Sequence, residues 1–148
     1  MTEQQELKKE QLLNPLEGAI DYLEMINQKK GLISDPLSTE DYQTAFKELN
    51  NFIDGINELN QLLYTISELL DINYENLKYQ EENLNYYITH FNSFLTEDLI
   101  PAMENQDFML LSDLINYELE SYLADYKKVF LKLIKYIKEL DLGVVNNV

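Results

Sequence analysis

Cysteine, tryptophan and arginine are absent from this 148-residue chain, and glycine and proline are scarce, at four and three copies. Without cysteine there is no disulfide frame, no thiolate metal site and no sulfur nucleophile. Without arginine there is no planar fork to grip phosphate, carboxylate or guanine at two points, which also removes nuclease sites built on an Arg and His pair. So few turn-formers do not suit the many short strands of a β-sandwich or barrel, which leaves long helices. No run approaches the ~18 apolar residues of a membrane span. The opening MTEQQELKKEQ lacks the basic segment and apolar stretch of a secretory signal, so cytoplasm is the expected compartment.

Positive charge is also scarce: 27 acidic residues face 11 lysines, for a formal charge of −16. Such a field repels nucleic acid and anionic lipid headgroups, so neither is an expected partner. Abundant Lys, Asn, Ile and Tyr without Arg also fits an A+T-rich genome. What the chain does have is a hydrophobic fraction of 45% and an aromatic fraction of 11%, enough for a packed core rather than a disordered acidic tail. A globular chain of this size buries roughly 68 to 70% of its unfolded surface, which fits one soluble domain over residues 1–142 with a frayed tail at 143–148.

The first helix is expected from about Glu3 to Lys30, kinked or restarted at Pro15, with Asn14, Pro15 and Glu17 as N-cap, N1 and N3. Leu16, Ala19, Ile20, Leu23 and Ile26 mark its apolar face, and Gly31 is read as its stop. GLISDPLSTED reads as a loop, with a turn at Asp35 and Pro36 and a capping box from Ser38 to Asp41.

The clearest signal comes next. Tyr42, Ala45, Leu49, Phe52, Ile56, Leu59, Leu63, Ile66 and Leu70 alternate steps of three and four, with Phe46, Ile53, Leu62 and Leu69 widening the stripe to that of a bundle helix. Gly55 weakens this helix locally or lets another approach closely. DINYENLKY reads as a loop with some extended character; a single helix from Thr39 to Leu95 is the competing reading.

A third helix is expected from near Gln80, with Leu84, Ile88, Phe91 and Leu95 inward, Tyr87 and Phe94 beside them, and Pro101 ending or bending it. Asp107 caps a last helix to about Leu140, striped by Ile115, Leu119, Tyr122, Tyr126, Val129, Leu133, Tyr136 and Leu140. Its first half is acidic and its second carries Lys127, Lys128, Lys132, Lys135 and Lys138, the order that complements the helix dipole. Four such segments with short connections predict an all-α, antiparallel up-down-up-down four-helix bundle.

Catalytic chemistry finds little support. The one histidine, His90, lies off the apolar stripe, with no Glu three residues before it to start a di-metal motif. Glu17, Asp21 and Glu24 share a face, and Glu68 with Asp71 forms a Glu-x-x-Asp pair that could hold magnesium if more carboxylates faced it. This resembles all-α nucleotide pyrophosphatases, which implies a carboxylate-metal hydrolase. The chain departs from that pattern in having no suitably spaced upstream Glu-x-x-Glu pair and no lysine cluster to hold phosphates. No catalytic, cofactor or metal residue is therefore assigned.

Glu118 stands at the edge of the last stripe, three after Ile115 and four before Tyr122, where it suits a polar contact with a partner. Eleven tyrosines supply amphipathic anchors, and Tyr117, Tyr122 and Tyr126 form the candidate recognition cluster. Over Asp107 to Leu123, within ENQDFMLLSDLINYELESYL, the chain resembles small uncharacterised helical proteins of Gram-positive bacteria with a DLLEYEL-like segment. It differs in having Asn116 where such segments often have Glu. The expected function is a non-enzymatic interaction module that binds a partner protein or itself, the α-helical seam flanked by Phe46 and Leu62 being the motive for self-association. An acidic chaperone of the flagellar or secretion type, holding an amphipathic client helix, is the alternative within binding functions.

Overall fold

A computed structural model describes residues 2–140 of the chain. The strongest stripe in the sequence becomes α3, Tyr42–Leu70, which buries Ala45, Leu49, Phe52, Ile56, Leu59, Leu63 and Ile66. Phe46, Ile53 and Leu62 pack half-buried along its flanks, and Leu69 is exposed. The seam itself therefore packs into the chain's own core. At Gly55 a Cβ would lie 1.9 Å from the Tyr22 hydroxyl oxygen, so the absent side chain is what lets that ring cross the helix.

Helix α1, Glu3–Gln28, runs through Pro15 as one element, which corrects the expected fresh start at Asn14. Its cap is Thr2, in a reciprocal capping box with Gln5. Pro15 and Gln11 both face solvent, so the carbonyl that loses its helical donor lies on the wet side of the helix. Leu16, Ala19 and Leu23 hold the other side in the core.

The expected loop at GLISDPLSTED is a helix, α2, Gly31–Ser38, despite Pro36 within it. Burial of Ile33, Ser34 and Leu37 against α3 overrides the turn-forming composition. Gly31 is not a stop; it opens α2, and Lys29 caps α1. The cap of α3 is Asp41, which accepts from the Thr44 amide at 3.3 Å, while the Ser38 hydroxyl donates back to the Ser34 carbonyl at 3.1 Å. No Ser38 to Asp41 capping box forms.

The loop reading after α3 holds. Asp71 turns left-handed, Tyr74–Asn76 forms a 3₁₀ turn, and β1 (Lys78–Tyr79) pairs antiparallel with β2 (Glu82–Asn83). The Tyr87 hydroxyl donates to the Tyr79 carbonyl at 2.9 Å and ties this hairpin down. Because the hairpin uses residues up to Asn83, α4 begins four residues later than expected, at Leu84–Ser93.

Helix α4 passes through a π turn, Phe94–Leu99, into α5, Ile100–Glu104. Pro101 therefore neither ends the helix nor lacks accommodation, because the wider turn before it already replaces the regular hydrogen-bond ladder. Tyr87 and Phe94, expected beside the stripe, are in the core, and Ile88 sits at its edge. Asp107 caps α6, Phe108–Asp113, as expected, accepting from the Leu110 amide at 3.2 Å. A second π turn, Leu114–Glu118, leads into α7, Leu119–Glu139. Leu123, Phe130 and Ile137 join Tyr126, Val129 and Leu133 in the core, while Tyr122 and Tyr136, expected inward, are half-buried.

Both π turns fall where buried positions repeat by fours, Phe91, Leu95, Leu99 and Leu111, Ile115, Leu119, Leu123. Successive steps of four would rotate a regular helix's stripe away from the core, and a wider turn cancels the drift.

These elements form an all-α helical bundle of four long segments, α1, α3, α4 with α5, and α6 with α7, plus the short α2. Helix α1 packs on α7 and α3, and α4 packs on α7. The Lys9 ammonium donates to the Lys138 carbonyl at 2.9 Å, and Lys127 meets Glu24 at 3.5 Å while Lys30 meets Glu120 at 3.6 Å. Those pairings make α1 and α7 antiparallel. No described helix is long and apolar enough to cross a membrane. The expected frayed tail lies outside the described residues.

Candidate functional site

The three tyrosines singled out from the sequence do not share a surface. Tyr117 is 80% exposed, Tyr122 is half-buried and Tyr126 is fully buried. Tyr126 is corrected to a core residue: its ring stacks on Phe91 at 4.4 Å and meets the edge of Phe130 at 5.2 Å. Its hydroxyl donates to Asn60 Oδ1 on α3. Asn60 Nδ2 in turn donates to Asn92 Oδ1 on α4 at 2.8 Å, and Asn92 Nδ2 reaches the Ile88 carbonyl at 2.8 Å. Burial holds the Tyr126 hydroxyl's pKa well above its ordinary value, with the neighbouring Tyr74 adding to the effect. This network joins three helices and was missed in the sequence, although Asn60 falls on the α3 stripe four after Ile56 and three before Leu63.

Tyr122 belongs to an aromatic ladder across α4 and α7. It stacks on Phe94 at 4.1 Å and on His90 at 4.9 Å, and His90 stacks on Tyr86 at 5.5 Å. His90 is thus a packing residue. Partial burial raises the Tyr122 pKa, and the negative charges of Asp98, Glu118 and Asp125 push it the same way. Glu118 therefore lies within electrostatic reach of Tyr122, as its spacing suggested, but its side chain is exposed at the end of the π turn.

Tyr117 has company that sequence reasoning did not single out. Met109 is 79% exposed and Leu110 is 42% exposed, both on α6. One α turn of 3.6 residues and one π turn of about 4.4 together take eight residues, so Met109 and Tyr117 stand two turns apart on one face, with Asp113 between them. Their signal in the sequence was being apolar or aromatic and yet off the stripe. Asp107, Asp113, Glu118 and Glu120 ring this face, and residues 79–126 hold ten acidic side chains and no lysine. Among the described residues neither Asp113 nor Glu118 forms an ion pair, and Glu120 meets Lys30 only at 3.6 Å.

The carboxylates proposed for metal chemistry are not brought together. Among the described residues no group of three or more His, Asp or Glu is placed to hold an ion. Glu24 is instead paired with Lys127. A hollow of about 200 Å³ lies against Leu23, Glu24, Glu120, Ala124 and Lys127, where the buried Asn27 Oδ1 has no donor among the described residues.

A family model described as a domain of unknown function (DUF8042) matches residues 15–129. No curated protein and no solved structure matches the chain. The matched span runs from Pro15 through Val129 and takes in the polar core network, both π turns and the exposed α6 face, so the chain belongs to the DUF8042 family, a domain of unknown function.

Proposed function

We propose that the chain is a non-enzymatic protein-interaction module that docks a partner through the exposed face of α6, its π turn and the start of α7. The observation that carries this reading is the alignment of Met109 and Tyr117, two large side chains about four-fifths exposed, on one face. Scattered exposed apolar residues are ordinary, but aromatic and methionine side chains grouped within an acidic rim have the composition of an interface centre. The π turn supports the reading as well, since such turns recur at functional positions in helices. Glu118, next to Tyr117 in the chain and exposed, belongs to this face, whereas Tyr122 packs on His90 and Phe94 and Tyr126 is a core residue.

A photo-crosslinking amino acid placed at Tyr117, with the same group at the exposed Tyr64 of α3 as control, tests the assignment in cells. The expected result is a discrete adduct from position 117 and none from position 64. Equal patterns at both positions, or none at 117, would remove the basis for the proposal. Met109→Ser, made in the chain that carries the crosslinker at position 117, should leave stability within about 0.5 kcal/mol of wild type, so an adduct lost with it reports contact rather than unfolding.

A further inference from the structure

We infer that the segment docked on the α6–α7 face is a basic amphipathic helix of another protein, and not a second copy of this chain; this rests on the reading of that face as a docking surface. Around Met109, Leu110 and Tyr117 the charges supplied by residues 79–126 are all acidic, with Asp113 and Glu118 unpaired among the described residues and Lys30 meeting Glu120 at 3.6 Å. A two-fold dimer through this patch would set one acidic rim against the other, and like charges in close approach are disfavoured. A head-to-tail contact with the lysine-bearing half of α7 is blocked in part because Lys127 and Lys128 already serve Glu24 and Asp125. Such a contact would also have to close into a ring or run on as an open filament.

A partner carrying Lys or Arg meets none of these objections. Met109 and Tyr117, two turns apart, are separated by about 11 Å along the axis, which matches residues seven apart on a partner helix. Apolar residues at that spacing would cover the two anchors, and flanking cations would reach Asp113 and Glu118 on either side. The charge field would speed encounter and exclude acidic competitors.

The probe is a synthetic amphipathic helical peptide with Leu on one face and Lys on the other, beside a twin with every Lys changed to Glu. Binding is followed by titration calorimetry and by backbone amide shifts of the full chain. The Lys peptide should bind, with shifts concentrated between Glu104 and Glu120, and the Glu twin should not. Met109→Ser and Tyr117→Ser should each weaken binding by about tenfold or more, whereas Asp54→Asn, which removes a charge on α3, should change it less than about twofold. Raising salt from about 50 mM to about 500 mM should also weaken binding by about tenfold or more.

Absence of binding, equal binding of the twin, or shifts spread over the acidic surface and indifferent to Met109→Ser would each overturn the inference. So would a concentration-dependent dimer in sedimentation that Tyr117→Ser dissolves. If the peptide fails while the position-117 adduct persists, the docking face stands and only the basic partner falls; if both fail, both readings fall.

Discussion

Replacing Asn60 with leucine removes the hub of the buried polar network while roughly keeping its shape. Asn60 Oδ1 accepts from the Tyr126 hydroxyl, and Asn60 Nδ2 donates to Asn92 Oδ1 at 2.8 Å. A hydrogen bond contributes about 1 kcal/mol net, and a buried group left without a partner costs a further ~1 to 3 kcal/mol. Because Tyr126 is fully buried and Asn92 only partly, the orphan penalty falls mainly on Tyr126. The expected loss is therefore about 3 kcal/mol, or roughly 6 to 12 °C in melting temperature for a domain of this size. Tyr126→Phe alone keeps the ring stack on Phe91 and leaves Asn60 Oδ1 a donor in Asn92 Nδ2 at 3.3 Å, so it should cost only about 1 kcal/mol. The double variant removes the orphan with the hub, and should be more stable than Asn60→Leu alone by about 1 kcal/mol or more. Urea unfolding followed by far-ultraviolet circular dichroism measures all three. Additive effects within about 0.5 kcal/mol, or an Asn60→Leu no costlier than Tyr126→Phe, would refute the assignment of the network.

Three further outcomes follow from the same packing. Gly55→Ala, which helix propensity alone would favour by about 1 kcal/mol, should destabilise the protein because its Cβ meets the Tyr22 hydroxyl; in a Tyr22→Ala background it should stabilise, as thermal melts would read. Lys9→Met keeps the stem but removes the donor to the Lys138 carbonyl, so amide exchange in the last turn of α7 should speed up while that of α3 stays unchanged. Burial holds the Tyr74 and Tyr126 hydroxyls protonated in the fold above the pH at which they ionise in the unfolded chain, so their contribution is intact below pH 10.0 and declines as pH rises beyond it. Tyr126→Phe should flatten that alkaline decline, and an unchanged slope would argue against the burial of this hydroxyl.

Helix existence was legible wherever steps of three and four ran on, as in α3, because that spacing has only one compact use. It was misleading where local composition and tertiary burial disagreed. In GLISDPLS, Gly31 read as a helix stop and Asp35 with Pro36 as a turn, yet Ile33 and Leu37, one helical turn apart, find a core to enter. The π turns left a trace in the repeated steps of four at Phe91–Leu95–Leu99 and Leu111–Ile115–Leu119–Leu123, and reading Tyr122 as a core position instead concealed it. Glu118 and Tyr117 were legible as surface candidates. Tyr126 was not separable from them, because a tyrosine on a stripe serves equally as a rim or a core residue until its hydrogen-bond partner is known, and Asn60 lies 66 residues away. Met109 was passed over because exposure depends on which face α2 and α3 cover, which no local pattern records.

Hydroxyl-radical footprinting of the chain, free and with the Lys-bearing peptide bound, tests the docking face most directly. In the free protein Met109 and Tyr117 should oxidise readily and Tyr126 scarcely at all, and on binding Met109 and Tyr117 should be protected while Tyr64 is not. Ready oxidation of Tyr126 in the free chain, or no protection of Met109 and Tyr117 in the complex, would contradict the account.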